Sequence, residues 1–150
     1  MESVRVSVAL ALIEQNGRWL VSLRSGGRVF AGAWEFPGGR IEPGEHPWRA
    51  AEREALEETG LGVEAFDDLG ELDADTPTGK VMLHLVVCRP AAGRAEPRAE
   101  AVQAVRWVPL DELDGLRMPP ANAEVVRRLR SHVARRGSCL LYTSPSPRDS

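Results

Sequence analysis

A near-continuous apolar run at residues 81–88 restricts the fold more than any other feature of this sequence. Successive side chains of a strand point to opposite sides of its sheet, so a strand that is apolar at consecutive positions must be covered on both faces. Two segments with helical spacing of apolar residues, 47–59 and 122–136, are available to cover it. The sequence therefore predicts an α/β domain in which a mixed β-sheet lies between helices.

Further strands are indicated on both sides of the first helix. Apolar residues at the even positions of segment 4–12 have the period of a half-buried strand. Asn16-Gly17 then predicts a hairpin turn into a second strand at 19–24. The remaining expected elements are strands at 69–72 and 102–108, a turn at 73–79 and a helical turn at 109–113.

Composition narrows the functional classes. The chain has 150 residues, with 22 acidic and 19 basic ones and a net charge of −3. This length fits one domain that folds without disulfides, and the two cysteines are no framework for a secreted mini-protein. No secretory leader is recognisable, and no segment approaches the roughly 18 apolar residues of a membrane helix. We therefore expect a cytoplasmic protein with neither membrane nor nucleic-acid-polymer partners.

The last residues differ in character from the rest of the sequence. They follow a helical pattern that ends at Gly137 and have neither helical nor strand period. This tail resembles the translated adaptor read-through found at the ends of some metagenomic reading frames. We therefore expect a natural domain at residues 1–137, followed by a foreign, disordered tail at 138–150.

Three carboxylates lie on one face of the first predicted helix. Glu54, Glu57 and Glu58 are spaced at i, i+3 and i+4, where like charges repel. A solvated acidic face is the usual explanation of such a pattern. These residues adjoin the apolar stripe, however, and a hard divalent cation such as Mg²⁺ or Mn²⁺ would offset the repulsion.

The segment Pro37-Gly38-Gly39 precedes this helix. It is expected to interrupt regular structure, because proline lacks a backbone donor and glycine loses more conformational freedom on folding than any other residue. Glycine also lets backbone carbonyls approach a metal ion or a phosphate, although a simple turn is the commoner explanation of such a pair.

The spacing of these residues resembles the Nudix box, G-x5-E-x7-R-E-U-x-E-E-x-G-U. Its fixed positions are filled by Gly39, Glu45, Arg53, Glu54, Glu57, Glu58 and Gly60. The one departure is Ala55, where a larger aliphatic residue is usual. Because so many positions match at set spacing, the chain is identified as a member of the Nudix hydrolases.

The resemblance implies a Nudix fold and a metal-dependent hydrolase of nucleoside diphosphates linked to another group, acting by attack of water on phosphorus. Carboxylates and a glycine carbonyl hold the metals in this family. That assigns metal binding here to Gly38, Gly39, Glu54, Glu57 and Glu58. Glu54 is also the first candidate for the catalytic base, Arg53 would orient it by a charge-assisted hydrogen bond, and Glu45 would support the loop or the outer metal shell.

Outside the box, three stretches resemble the MutT-type 8-oxo-dGTP diphosphatases: residues 34–39, 106–110 and 119–126. By this resemblance Asn122 would bind the base edge, Phe36 would contact the purine and Arg24 would help to hold the nucleotide. Without it, Asn122 is interpreted as a helix cap, Phe36 as core and Arg24 as a solvated strand end.

One departure from the MutT-type pattern concerns an additional carboxylate, usually six residues before the tryptophan of the Arg-Trp-Val strand. This chain has Ala101 at that position. Glu100 lies one residue away and is expected to serve as the further metal ligand, with Glu96 as a more distant substitute.

The favoured interpretation is a monomeric, Mg²⁺-dependent enzyme that converts 8-oxo-dGTP to 8-oxo-dGMP and pyrophosphate. Such an enzyme sanitises the nucleotide pool in support of DNA replication and repair. Two alternatives stay open. One is a different nucleotide substrate for the same chemistry, such as CTP or a methylated dCTP. The other is a nucleotide-sensing module without catalysis, which the complete set of box carboxylates disfavours.

Overall fold

The computed structural model describes residues 6–23, 32–76, 79–91, 96–99, 102 and 104–143, with side chains described up to residue 136. Within these ranges the strands are β1 (Val6–Gln15), β2 (Arg18–Leu23), β3 (Trp34–Glu35), β4 (Gly38–Arg40), β5 (Val63–Thr76), β6 (Gly79–Pro90) and β7 (Ala104–Pro109). The helices are α1 (Pro47–Thr59), α2 (Asn122–Thr143) and a 3₁₀ helix at Leu110–Gly115.

The strands form one mixed sheet in the order β3-β2-β1-β6-β5, with β4 paired to β1 and β7 paired to β2. β1 and β6 run parallel, whereas the other described pairs are antiparallel. The predicted turn at Asn16-Gly17 joins β1 to β2, with φ values of 55° and 78°. The expected α/β class with a mixed sheet is thus confirmed.

Helices cover both faces of the central strands. On one face, Leu85 of β6 packs with Leu129 of α2, and on the other face, Val86 packs with Ala51 of α1. The apolar run is therefore a central strand buried on both sides, as its sequence predicts.

The expectation that β1 is half-buried is wrong. Its odd positions Ala9, Ala11 and Ile13 are 0% exposed and pack beneath α1 with Ala51 and Ala55. Alanine gives a weak signal in a pattern of alternating large side chains, so the second apolar face was not evident. Alanines on both sides of this contact allow α1 to lie close to the sheet, which brings its carboxylates near β4.

α1 begins and ends where its sequence predicts. Pro47 occupies its first turn, and the backbone N–H of Trp48 donates to Nδ1 of the N-cap residue His46 at 3.0 Å. At the other end, Gly60 has a φ of 70°, and its N–H donates to the carbonyl of Leu56. These caps set the start and the end of the helix, and with them the positions of its carboxylates.

The segment Pro37-Gly38-Gly39 does not interrupt the sheet, contrary to the expectation from its sequence. Gly38 and Gly39 belong to β4 and pair with Leu10 and Ala9 of β1. A Cβ on Gly38 would lie less than 3.0 Å from the carbonyl oxygen of Ala9, so only glycine permits this approach.

β5 is longer than its sequence predicts. The expected turn at 73–79 is wrong as far as Thr76, because Ala74 pairs with Val81 and Thr76 with Gly79. β5 lies at the edge of the sheet, where polar side chains can face solvent. Acidic residues are uncommon in strands, so the composition of this segment did not indicate a strand. Two register shifts interrupt its pairing with β6, and Gly70 lies between the residues of the second shift, with a φ of 86°.

α2 continues past the predicted end at Gly137 and is helical to Thr143. A single glycine inside a helix costs only about 1 kcal/mol, and the next proline of the sequence is Pro145, so Gly137 is a weak stop signal. The foreign origin of residues 138–150 stays a prediction. In the described part of the chain, no helix combines the length and the apolarity that crossing a membrane requires.

Arginines of α2 bind the helix to the rest of the fold. Arg128 donates to the carbonyls of Leu69 at 3.1 Å and Glu71 at 2.9 Å, both on β5. Arg136 donates to Glu14 of β1 at 2.9 Å. These contacts hold α2, and therefore its first residue Asn122, against the sheet.

Candidate active site

Arg53 connects the segment before α1 to the carboxylates of the helix. Its Nε and Nη2 each donate to an oxygen of Glu45 at 2.9 Å, and Nη2 also donates to the carbonyl of Arg40 at 2.9 Å. Its Nη1 donates to Glu54 at 3.0 Å and to Glu57 at 3.4 Å. One planar guanidinium thereby holds β4, the loop and two helix carboxylates in fixed relation.

Glu45 remains ionised because of this contact. The hydrogen bond from Arg53, followed by one from the backbone N–H of Glu42 at 2.9 Å, lowers the pKa of Glu45 to about 2. The same pairing with Glu45 raises the pKa of Arg53 above its usual value. This position suits the loop-supporting role that we expected of Glu45.

Glu54 lies directly against Gly39. A Cβ added to Gly39 would be 2.6 Å from Oε1 of Glu54 and closer still to its Cδ. Another residue at position 39 would therefore displace this carboxylate, of which only 15% is exposed. The absence of a side chain at Gly39 leaves space for the carboxylate of Glu54. The sequence alone does not predict this contact.

Glu58 reaches the neighbouring residue of β4. Burial, and then the nearby carboxylates of Glu54 and Glu35, raise the pKa of Glu58 to about 8, although the backbone of Gly38 hydrogen-bonds to it. At pH 7 this carboxyl is therefore mostly protonated. A cation between Glu54 and Glu58 would favour the ionised form.

The three helix carboxylates predicted as metal ligands are only partly brought together. Glu54 and Glu58 hydrogen-bond to each other beside Gly38 and Gly39, whereas Glu57 is 55% exposed and is drawn toward Arg53. Among the described residues, no three His, Cys, Asp or Glu side chains are spaced to hold a metal ion. The donor set still fits a hard divalent cation, which prefers carboxylate oxygens and would displace the proton of Glu58.

A pocket of about 250 Å³ opens beside these carboxylates. Its lining includes the acidic end at Glu35, Gly38, Gly39 and Glu58, an apolar floor from Val8, Leu10, Val81 and Leu83, and walls from residues 74–76 and 119–122. An acidic end joined to an apolar floor with a few polar groups is typical of a site for a small ligand with an anionic part.

Asn122 and Phe36 both line this pocket. Asn122 is the first residue of α2 and is only 6% exposed, and its Nδ2 makes no hydrogen bond within the described structure. A buried donor without a partner costs about 1–3 kcal/mol, which an acceptor on a ligand would recover. A cap acts through its side-chain oxygen, so the unpaired nitrogen favours ligand binding. Phe36 is 1% exposed and also belongs to the core.

Two predicted site residues, Arg24 and Glu100, lie outside the described residues. The substitute Glu96 is exposed. The pocket contains a carboxylate that the sequence analysis missed, Glu35, which is close enough to raise the pKa of Glu58. The available signal was a charged residue between two aromatic ones in the stretch Trp34-Glu-Phe.

A larger cleft, of about 490 Å³, opens at the N-terminal end of α1. Its lining includes His46, Trp48 and His84, and none of the box residues reaches it. Its polar groups contact one another, since Trp48 donates to Asp68 at 3.3 Å and His84 lies 3.5 Å from Glu71. We therefore assign the candidate active site to the smaller pocket.

Alanine substitution of the two adjacent glycines of β4 is expected to affect activity at one position and stability at the other. We expect Gly39→Ala to lower kcat about tenfold with little change in thermal stability, because its new methyl group meets only the movable end of Glu54. Gly38→Ala should destabilise the fold by about 2 kcal/mol or more, because its methyl group meets the backbone of Ala9. Kinetics and thermal denaturation of both variants test this, and equal destabilisation by the two would contradict it.

The chain is similar to known proteins in sequence and in fold. The NUDIX domain profile matches residues 3–129. An 8-oxo-dGTP diphosphatase of Escherichia coli (strain K12) is 30% identical over 127 residues, which cover 84% of this chain and 97% of that enzyme. A CTP pyrophosphohydrolase of the same strain is 33% identical over 123 residues, covering 80% and 86%. The crystal structure of MutT protein from Methanosarcina mazei Go1 superimposes with a TM-score of 0.75 at 25% identity, covering 88% of this chain and 97% of that one.

Proposed function

Because the chain belongs to the Nudix family and is a hydrolase of phosphoric anhydrides in nucleotides, we propose that its substrate is 8-oxo-dGTP, converted to 8-oxo-dGMP and pyrophosphate. The observation that carries this proposal is a single pocket whose lining includes the box residues Gly39 and Glu58 at one end and Asn122, with its buried, unpaired amide nitrogen, in a wall. The carboxylate end suits a metal-bound oligophosphate, and the amide suits the acceptor of a purine edge.

Nudix hydrolases generally use divalent metal ions, and we propose Mg²⁺ here, with Mn²⁺ as a substitute. Glu54, Glu57 and Glu58 would hold the ions together with the backbone at Gly38 and Gly39, and with Glu100. When bound, they supply charge neutralisation for the triphosphate and a lower pKa for the attacking water.

The remaining chemistry belongs to the side chains around Arg53. Glu54, against Gly39, accepts the proton of the attacking water. Arg53 orients Glu54 through the 3.0 Å hydrogen bond. Glu45, bound to Arg53 at two points, keeps the guanidinium in this position.

The nucleoside lies on the apolar floor of the pocket. Phe36 contacts the purine, Asn122 donates to its edge, and Arg24 helps to hold the nucleotide. An 8-oxo-purine carries more carbonyl acceptors than an unmodified one, which suits a buried amide donor.

Asn122→Ala should raise the KM for 8-oxo-dGTP about tenfold, while kcat changes less than threefold, because one hydrogen bond to a buried donor is lost. Steady-state kinetics on 8-oxo-dGTP and CTP provide the measurement. An equal loss on both nucleotides, accompanied by a lower thermal midpoint, would favour the capping role.

A panel of nucleotides at limiting concentration with Mg²⁺ tests the proposed function. We expect pyrophosphate as the product and the highest kcat/KM for 8-oxo-dGTP over dGTP, CTP and methylated dCTP. The similarity to a CTP pyrophosphohydrolase makes CTP the second candidate, and a preference for it would overturn the first. Release of orthophosphate would contradict the proposed bond cleavage, and no hydrolysis of any nucleotide would favour a sensing module.

The cellular role follows from this substrate. Hydrolysis of an oxidised nucleotide removes a mutagenic precursor before DNA replication, which places the enzyme in nucleotide pool sanitisation and DNA repair. We propose a cytoplasmic monomer that acts on free nucleotides and not on nucleic acid polymers. Sedimentation at micromolar concentration tests the monomer, and a stable dimer would contradict it.

A further inference from the structure

Arg128 joins two elements that each form part of the candidate pocket. Its Nη1 donates to the carbonyls of Leu69 at 3.1 Å and Glu71 at 2.9 Å on β5, and its Nε donates to Glu124 of α2 at 3.1 Å. Glu124 lies in the first turn of α2, two residues after Asn122. One planar guanidinium therefore holds the start of α2 against β5.

The strand side of this contact is a β-bulge. Between Asp68 and Glu71 the register of β5 shifts, so that two residues of β5 stand opposite one residue of β6. A bulge disrupts the ladder of backbone hydrogen bonds locally and bends its strand. Gly70 lies inside the bulge with a φ of 86°, and a Cβ there would be 3.7 Å from Nη1 of Arg128. Arg128 thus contacts β5 where the backbone of the strand departs from regular pairing.

Both elements lead from this contact to the pocket. Asn122 precedes Arg128 by six residues, a distance of about 9 Å along the helix. Ala74 follows Glu71 by three residues, a distance of about 10 Å along the strand. Asn122 and Ala74 both line the pocket, whereas Arg128 does not. The contacts of Arg128 therefore set the distance between two pocket walls from outside the pocket.

The amide of Asn122 is sensitive to this distance. Its Nδ2 is buried and makes no hydrogen bond within the described structure, so no protein acceptor holds it in place. A hydrogen bond to a ligand weakens steeply when the donor is displaced or misaligned. Misplacement of a binding group by about 1 Å can cost an enzyme up to about 100-fold in rate.

On the basis of the nucleotide binding proposed above, we propose that Arg128 is a positioning residue for base recognition, which holds Asn122 at a fixed distance from the β5 wall. Arg128 itself touches no part of the substrate. The groups proposed for hydrolysis on β4 and α1 do not depend on its contacts. Loss of Arg128 therefore weakens nucleotide binding and leaves the hydrolytic step unchanged.

Arg128→Gln removes the group that joins the two elements. With the triphosphate that the nucleotide panel ranks first, we expect KM to rise about fivefold while kcat changes less than twofold. Isothermal titration in EDTA with 8-oxo-dGMP, dGMP and CMP measures binding without hydrolysis or metal. The Kd of the ligand that binds most tightly should also rise about fivefold. Arg128→Lys should raise it only about twofold, since one ammonium replaces some of these hydrogen bonds but cannot make all of them.

Arg136→Gln is the matched control. Arg136 also ties α2 to the sheet, through hydrogen bonds of 2.9 and 3.1 Å to Glu14 of β1, but about two helical turns farther from Asn122. We expect it to lower the thermal midpoint about as much as Arg128→Gln does and to leave KM and Kd unchanged. Equal increases of Kd in the two variants, as a merely structural role predicts, would overturn the proposal. No increase in Arg128→Gln, or no binding of any monophosphate by the unsubstituted protein, would overturn it as well.

A double-mutant cycle tests whether Arg128 acts through Asn122. Once Asn122→Ala is present, Arg128→Gln should raise the Kd by less than a further twofold, because no amide is left to position. Independent increases from the two substitutions would contradict the proposal.

The same variants separate this inference from the proposed function. A Kd that rises in Asn122→Ala but not in Arg128→Gln would exclude the positioning role of Arg128 and leave base recognition by Asn122 intact. Binding that depends on both residues, in a protein that hydrolyses no triphosphate, would exclude the proposed activity and leave the role of Arg128 intact.

Discussion

Glu54→Gln is expected to lower kcat about 1,000-fold, within the range found for loss of a general base. Gln keeps the shape that fits against Gly39 and still accepts from Arg53, but it neither takes a proton nor supplies a charged metal ligand. The folded structure should persist, so the thermal midpoint should move by only a few degrees. Pre-steady-state and steady-state kinetics with 8-oxo-dGTP, alongside thermal denaturation, measure both effects.

Glu57→Gln supplies the comparison on the same helix. Glu57 is 55% exposed and forms an ion pair with Arg53. We therefore expect Glu57→Gln to lower kcat at least tenfold, but by a smaller factor than Glu54→Gln does. If Glu54→Gln retained more than half of kcat, the proposed role of Glu54 as the general base would be contradicted. A larger loss in Glu57→Gln than in Glu54→Gln would transfer the role of base to Glu57.

Glu58→Gln is expected to stabilise the metal-free protein while it reduces activity. The folded pKa of Glu58 is about 8, against 4.5 for an ordinary glutamate. Between these values the folded state binds one proton more than the unfolded state, so its stability falls as pH rises from 4.5 through 8. Gln has no proton to lose, and we expect it to exceed the wild type by about 2–4 kcal/mol at pH 8.5 and to match it near pH 4.5.

Urea denaturation in EDTA at these two pH values measures the difference. Glu57→Gln is the control, because its exposed side chain should change stability little at either pH. A stability gain in Glu58→Gln that is the same at both pH values would show that burial and the charges of Glu54 and Glu35 do not disfavour its ionised form. Addition of Mg²⁺ at pH 8.5 should stabilise the wild type more than Glu58→Gln.

Local signals in the sequence predicted much of the fold. The turn at Asn16-Gly17, the start of α1 at Pro47 and its end before Gly60 depend on backbone preferences of single residues, which act over short distances. The failures depend on distant partners. The residues of β4 form a strand only because they pair with β1, which they can approach closely as glycines. The acidic β5 forms a strand only because it pairs with β6 at the edge of the sheet.

The candidate site divides in the same way. Spacing along one segment predicted that Glu54 and Glu58 would lie near Gly38 and Gly39, because a capped helix directly follows the loop. The same spacing did not predict the ion pair between Glu57 and Arg53, because spacing along a helix determines where a side chain starts but not which rotamer it adopts. The position of Glu35 in the pocket became visible only with the fold, which brings residues far apart in sequence to one pocket.

All groups proposed for the hydrolytic step come from one uninterrupted stretch, Gly38 to Glu58, except for Glu100. Two walls of the candidate pocket come from elements outside this stretch, β5 and the start of α2. Substitutions in these walls, for example at Asn122, are therefore expected to change which nucleotide is preferred, while the groups proposed for the hydrolytic step stay in place. Proteins that evolve from such a chain can change their substrate while they keep the same hydrolytic groups.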